Sequence, residues 1–337
     1  MTVTMPAGVQ VARDLVGPAI EDAVNRLSPD VRVVAAYHLG LADADGQPVR
    51  GGAGKALRPA LALLSARAAG ARPESGVPAA AAVELVHNFS LLHDDIMDGD
   101  TERRHRPTAW TVFGIGGAIL AGDALLVLAE DLLLERPPYG IWAARCLSAA
   151  VQRLIAGQGA DLAFERRDDV QVADCLDMAG DKTAALMACA CSIGAIHVGA
   201  PAELAMGLAA FGANAGLAFQ MTDDLLGIWG APEVTGKPVG SDLRARKKSM
   251  PVVTALTSGT DAGAELAVLL ATAEKLTDDE VAQAASLVEA AGGKERTEAI
   301  ADSALASAFE SLEKANMPDD VRAEFSAIAE FITARQW

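Results

Sequence analysis

Aromatic side chains are scarce in this chain. Phe, Trp and Tyr make up 4% of its 337 residues, whereas hydrophobic residues as a whole reach 51%. The apolar content is instead alanine and leucine, which favour helix over sheet. Cysteine is scarce too. The four cysteines (Cys146, Cys175, Cys189 and Cys191) sit in apolar, helix-like surroundings. They imply no disulfide framework and point to a reducing, cytoplasmic setting. Cys189 and Cys191 diverge by about 200° on a helix, so they read as buried thiols rather than a metal pair. Positive charge is in deficit, with a formal net charge of −17. That excludes a nucleic-acid binder and disfavours an anionic membrane surface. It leaves room for an anionic substrate in a locally basic pocket. No long apolar run is uninterrupted: FGIGGAILAGDALLVLAEDLLL contains Asp123, Glu130 and Asp131, so no membrane span is expected. The segment MTVTMPAGVQVARDLVG has no basic region leading into an apolar core, so no signal peptide is expected.

What is present is helical periodicity between glycine and proline breaks. The breaks fall near 40–54, 71–77, 99–108, 136–140, 199–202, 227–251, 257–263, 291–294 and 316–320. No alternating β-branched run reads as a strand, and no repeat of solenoid length occurs. The expected fold is all-α: one helical domain over residues 1–337, its longer helices surrounding a central cavity. The break at 227–251 is long, glycine-containing and basic, with Lys237, Arg244, Arg246, Lys247 and Lys248. A lid carrying phosphate-binding lysines is expected there.

Two Asp-Asp pairs close apolar helical stretches. The first is LLHDDIMDGDTERR, with Asp94, Asp95, Asp98, Arg103 and Arg104; the second is FQMTDDLLG, with Asp223 and Asp224. On a helix, Asp94, Asp98 and Asp95 fan across one arc of about 100°. Carboxylates so crowded repel one another and resist desolvation unless cations lie between them. Hard divalent cations, Mg2+ above all, suit oxygen ligands of this kind. Arginines beside such a cluster imply an anion shared with the metal, and a diphosphate satisfies both. Further candidates accompany the acids. Lys55 and Arg58 lie in GAGKALRP at a helix start, His87 lies two turns before Asp94, and Lys182-Thr183 opens the apolar helix KTAALMACA. Gln220 shares a face with Asp223.

In this order, GK-x-LRP, H-x6-DD, DDxxD-x4-RR, GQ-x-x-D (Gly157, Gln158, Asp161), KTA and FQ-x-x-DD resemble the trans-polyprenyl diphosphate synthases, the farnesyl and geranylgeranyl diphosphate synthases among them. The resemblance covers Gly52 to Pro251 and implies an isoprenoid-synthase helical bundle, three Mg2+ per site and a homodimer. It implies that Asp94 and Asp98 bind two Mg2+ with Asp95 in support. Asp223 would bind a third, oriented by Asp224 and Gln220. Arg103, Lys182 (with Thr183), Lys237 and Lys247 would grip the allylic diphosphate. Lys55, Arg58, His87 and Arg104 would hold isopentenyl diphosphate. His93 and His105 receive no role. Two departures stand out: Gly227 replaces the last Asp of the second motif, and Ala56 replaces a basic residue of the first.

The implied reaction ionises an allylic diphosphate and joins the cation to isopentenyl diphosphate. Product length would depend on the cavity floor, where Phe89 lies five residues and Ser90 four residues before Asp94. A single aromatic there resembles geranylgeranyl-type enzymes, so a C20 product is expected, with C15 farnesyl diphosphate the alternative. A class I terpene cyclase needs no isopentenyl site, and Lys55, Arg58 and His87 argue against it. A non-catalytic prenyltransferase subunit would have Gly227 as its only support.

Overall fold

The computed structural model describes residues 6–49, 56–136, 138–232, 238–271 and 275–334. Helices α1 (Ala7–Val24), α2 (Pro29–His38), α3 (Leu57–Ala68) and α4 (Val77–Met97) are followed by a two-stranded hairpin, β1 (Glu102–Arg103) and β2 (Arg106–Pro107). Then come α5 (Ala109–Leu134), α6 (Tyr139–Phe164), α7 (Val172–Ala179), α8 (Ala185–His197) and α9 (Ala202–Trp229). The C-terminal part holds α10 (Ser241–Arg244), α11 (Met250–Leu256), α12 (Asp261–Leu270), α13 (Asp278–Ala290), α14 (Gly293–Lys314) and α15 (Asp319–Thr333). The all-α expectation holds.

The centre is α3, α4, α8 and α9. Alanines 79 to 82 and Val83, Leu85 and Val86 of α4 are fully buried, as are Leu61 and Ala62 of α3 and Ala190 and Ile193 of α8. Small side chains let these helices approach closely, so the core is filled by backbone proximity more than by bulk. Phe211 on α9 meets Phe325 on α15 edge-to-face, with ring centroids 5.4 Å apart, a contact worth roughly 1 kcal/mol beyond area burial. Arg67 of α3 ties α15 through Glu324 at 2.6 Å and Asp320 at 3.0 Å. A smaller core forms where Ile228, Leu243, Val252, Leu266 and Val288 meet.

Three sequence expectations need correction. The segment 99–108 contains a short hairpin where no strand was expected. Its turn residues Arg104 and His105 both have positive φ, 52° and 59°, the geometry of a two-residue hairpin turn. Its strands are too short and too charged to show alternation. Second, Lys182-Thr183 does not open a helix: it lies in a π-helical turn, Gly180–Ala184, that joins α7 to α8 without interruption. Third, further breaks occur at 25–28 and 165–171, the latter a run of charges without glycine or proline. Helices α5 and α9 are long and apolar enough to cross a membrane by length and composition alone, a test that buried core helices also pass. The interior place of α9 against α8 and α14 accounts for its apolarity.

Candidate active site

The C-terminal end of α4 and the last turns of α9 carry the two acidic motifs. Asp98 is the C-terminal capping residue of α4, and Asp223 lies on α9 less than two turns before its end at Trp229. A cavity of about 230 Å3 opens beside the first of these ends, lined by Asp98, Asp161, Asp242, Arg246 and Lys247, among others.

The three acids of the first motif separate into two roles of contact. Asp95 is 1% exposed and accepts a 2.6 Å hydrogen bond from Arg103 Nε on β1. It faces the hairpin, because consecutive helical residues point about 100° apart. Asp94 and Asp98 turn the other way, toward Lys182. Burial, opposed by Lys182 and reinforced by Asp98, pushes Asp94 up to about 6. Burial also raises Asp98. Carboxylates held so reluctantly ionised are what a bound cation would relieve.

The second motif divides in the same way. Asp224 is buried, accepting from Gln220 Nε2 at 2.8 Å and from the Met250 backbone N–H at 2.9 Å. It therefore fixes the first turn of α11. Gln220 in turn accepts from Thr183 Oγ1 at 2.5 Å. Asp223 is only half-buried, and its charge is felt by Arg58.

Lys182 is held by Asp161 Oδ2 at 2.5 Å. Gly157 makes this possible: a Cβ there would lie 2.2 Å from the Lys182 backbone nitrogen, so α6 can touch the π turn only through glycine. Both polar atoms of Gln158 are buried without a hydrogen-bond partner. Lys247 would be pushed down by burial, but Asp161, Asp224, Asp242 and Asp98 together raise it, so it stays charged. Arg244 and Lys248 instead reach the carboxylates of Asp278, at 2.6 Å, and Asp168, at 3.6 Å.

A second, basic cluster lies beside the first motif. Arg58, on the first turn of α3, sits 3.3 Å from His87 Nε2. Burial and the Arg58 and Arg104 cations hold His87 well below its usual range. Burial and the hairpin arginines Arg104 and Arg103 hold His38 at about 3. Both rings are neutral at pH 7. Arg58 Nε and His38 Nε2 are buried without partners. Glu84 is raised by burial and lowered by Arg58 and Arg104. Glu84 and His38 escaped the sequence reading; the spacing of Glu84, one turn before His87, was the available signal. Lys55 and Lys237 lie outside the described residues.

Phe89 and Ser90 lie deeper on α4, both buried. Phe89 packs edge-to-face on His93, centroids 4.9 Å apart, and Ser90 Oγ donates to the His87 carbonyl at 2.8 Å. His93 is seated over Gly122 of α5, where a Cβ would lie 2.4 Å from Nε2.

Residues 47–288 match the polyprenyl synthetase family. This chain belongs to that family. It is 47% identical to the (2E,6E)-farnesyl diphosphate synthase of Mycobacterium tuberculosis, over 99% of this chain and 94% of that one. It is 43% identical to the geranylgeranyl diphosphate synthase of the same organism, over 96% and 92%. A crystal structure of a polyprenyl synthetase from Streptomyces coelicolor A3(2) superposes with a TM-score of 0.93 at 50% identity, covering 97% of this chain and 98% of that one. The geranylgeranyl pyrophosphate synthase of Corynebacterium glutamicum, solved with isoprenyl diphosphate and magnesium, gives 0.84 at 28% identity, covering 99% and 100%. The chain is a prenyltransferase, a short-chain prenyl diphosphate synthase, as the sequence resemblance implied.

The donor set fits a divalent metal: hard carboxylate oxygens, raised by burial and mutual repulsion. Among the described residues no three His, Cys, Asp or Glu side chains converge closely enough to enclose an ion. A metal at either tip would therefore complete its shell with substrate oxygens or water.

Proposed function

We propose that the cavity between the two acidic tips condenses isopentenyl diphosphate with an allylic diphosphate to give a C20 product, geranylgeranyl diphosphate. The observation that carries this reading is the pairing of acidic tips with two separate sets of cations. Lys182 stands beside Asp94 and Asp98, Lys247 lies in the field of both Asp98 and Asp224, and Arg58 and Arg104 form the neighbouring basic cluster. Two anions bound side by side are what a condensation needs and a cyclisation does not.

Asp94, Asp98 and Asp223 would hold Mg2+, three ions per site. Magnesium, when bound, would neutralise the charge developing on the departing diphosphate. Lys182, Lys247, Lys237 and Arg103 grip the allylic diphosphate. Asp161 and Asp95 hold Lys182 and Arg103 by one donor each and leave their other N–H donors for phosphate oxygens. Arg58, Arg104, Lys55 and neutral His87 hold isopentenyl diphosphate. The allylic C–O bond breaks, and the double bond of isopentenyl diphosphate forms the new C–C bond to that carbon. The proton then lost passes to the departed diphosphate. Prepositioned cations lower the barrier electrostatically, and adjacency of the two substrates supplies the rest. The apolar faces of α4, α6 and α8 keep water from the cation.

Phe89, backed by His93, forms the floor that stops growth. The farnesyl synthase relative supports C15 as the alternative product. A second copy of the chain covers the exposed apolar residues concentrated on α5 and α6, including Ile115, Leu120, Val127, Ile141 and Trp142. The four free cysteines suit a cytoplasmic enzyme. The test is incubation of the purified chain and Mg2+ with radiolabelled isopentenyl diphosphate and each of the C5, C10 and C15 primers, followed by chromatography. A C20 product supports the reading; a hydrocarbon from geranylgeranyl diphosphate alone overturns it.

A further inference from the structure

Cys146 on α6 and Cys189 on α8 meet where these helices pack, their Sγ atoms 3.8 Å apart. Ser192 Oγ, one turn along α8, lies 3.9 Å from the Cys146 sulfur. A disulfide needs about 2 Å between its sulfurs, so each has to move by about 1 Å, within reach of small side-chain rotations. The two thiols have unequal surroundings. Cys189 is 3% exposed. Cys146 is only partly buried and lines an open groove of about 550 Å3 between α6, the end of α8 and the start of α9, beside Arg145, Ile196 and Met206. Hydrogen bonding from the Cys189 thiol pulls Cys146 below its ordinary range against the effect of burial. The same bond, together with burial, raises Cys189 well above it. An accessible thiol inclined to ionise, with a protonated thiol behind it, suits reaction with a peroxide. The other two cysteines differ: burial raises Cys191, and burial first of all pushes Cys175 up to about 12.

We infer that Cys146 and Cys189 form an oxidative modification site, at which a peroxide converts the pair to a disulfide joining α6 to α8. The Cys146 sulfur attacks one oxygen of hydrogen peroxide. The O–O bond breaks, leaving a sulfenic acid and a hydroxide that takes up the Cys146 proton as water. The Cys189 sulfur then attacks the sulfenic sulfur. The S–O bond breaks, and the hydroxyl leaves as water with the Cys189 proton. Two thiols thus give two electrons to one peroxide. Thiol exchange with a reductant reverses the bond, as a reducing compartment requires of a transient disulfide. The cross-link ties the helix that carries Gly157 and Asp161 to the helix that continues from Lys182, the two elements whose contact seats that lysine.

The test treats the full-length protein, in its native assembly, with excess hydrogen peroxide. After quenching with catalase it is unfolded, alkylated and mapped by mass spectrometry of its cysteine peptides. The expected result is one Cys146–Cys189 link within a chain, lost on treatment with dithiothreitol, with Cys175 and Cys191 still alkylated. Cys189→Ala should stop at a sulfenic acid on Cys146, trapped by a cyclic 1,3-diketone, and Cys146→Ser should leave Cys189 reduced. Four free thiols after peroxide, a link between two chains, or oxidation falling first on Cys175 or Cys191 overturns the inference. A sulfenic acid on Cys189 in Cys146→Ser overturns the assignment of Cys146 as the attacking thiol. Should Cys189→Ala fail to fold, as judged by circular dichroism, the map of the unsubstituted protein decides by the same outcomes.

Discussion

The two acidic helix ends look alike in sequence and are built differently. At each, one aspartate of the Asp-Asp pair is buried and bonded to protein, while its neighbour is half-buried in the field of a cation, Asp94 near Lys182 and Asp223 near Arg58. In the first end, Asp95 is anchored to the Arg103 guanidinium on the hairpin. In the second, Asp224 is anchored to Gln220 and to the backbone of Met250. The first anchor orders a cation beside the cavity; the second orders a helix, α11. The first end keeps its third acid, Asp98, on its own helix, whereas the second has Gly227 with Asp242 laid against it. The same dipeptide thus gives one half-buried residue beside a cation and one buried organising residue, because adjacent helical side chains diverge by about 100°.

The largest test of this division is catalytic. Asp94→Ala and Asp223→Ala should each lower kcat/KM by roughly a thousandfold, at the upper end of what one electrostatic group contributes. Radiolabelled product formation measures it, and near-wild-type rates would remove these residues from the chemistry. The anchors should separate by stability. Asp224→Ala strands the Met250 N–H and Gln220 in a buried place and should cost about 1–3 kcal/mol in denaturant unfolding. Asp95→Ala should cost less, because Arg103 keeps 29% of its side-chain exposure and can turn to water. Equal losses would erase the distinction between the two ends.

A pH test sharpens the half-buried member of the first pair. The folded Asp94 is raised from the ordinary aspartate value to about 6, so the folded state holds its proton more tightly than the unfolded chain. That contribution to stability is complete below the unfolded value and is lost as pH rises toward and through about 6. In metal-free protein this contribution lowers the melting temperature from pH 5 to pH 8, against the opposite slope from His38 and His87, whose folded values lie below the ordinary one. Asp94→Asn should shrink that fall, and Mg2+ should raise Tm more at pH 8, where protons no longer compete for the carboxylates. A pH dependence of the melting temperature that Asp94→Asn leaves unchanged would contradict the assignment. A smaller effect concerns the floor. Phe89→Ala should lengthen the product by about one isoprene unit, and His93→Ala should lengthen a minor fraction by freeing the Phe89 ring. Unchanged chromatograms from both would place the floor elsewhere. The smallest expectation is for His105, exposed at the hairpin turn: His105→Ala should leave kcat/KM unchanged within assay error.

Much of the site was legible because its chemistry demands residue types in short spacings. Asp94 and Asp98 are one helical turn apart, and Asp223 and Gln220 nearly so; such positions share a face on any helix. The residues that could not be read are those whose partners come from distant segments. Nothing near Gly157 announces that it touches Lys182, and nothing near Glu84 announces Arg58. Asp242 is separated from Gly227 by a loop whose path periodicity does not specify. The hairpin was hidden for a different reason: its strands are two residues long and gain their pairing from the turn at Arg104 and His105.

The sequence by itself determined the all-helical class and the two acidic ends, since alanine-rich periodicity and i, i+4 carboxylates are local properties of a helix. Only the tertiary structure decided which aspartate of each pair is buried and anchored, which cations stand near its neighbour, and what fills the space at Gly227. Those outcomes depend on packing and on the desolvation of charge, and both exist only once separate helices have come together.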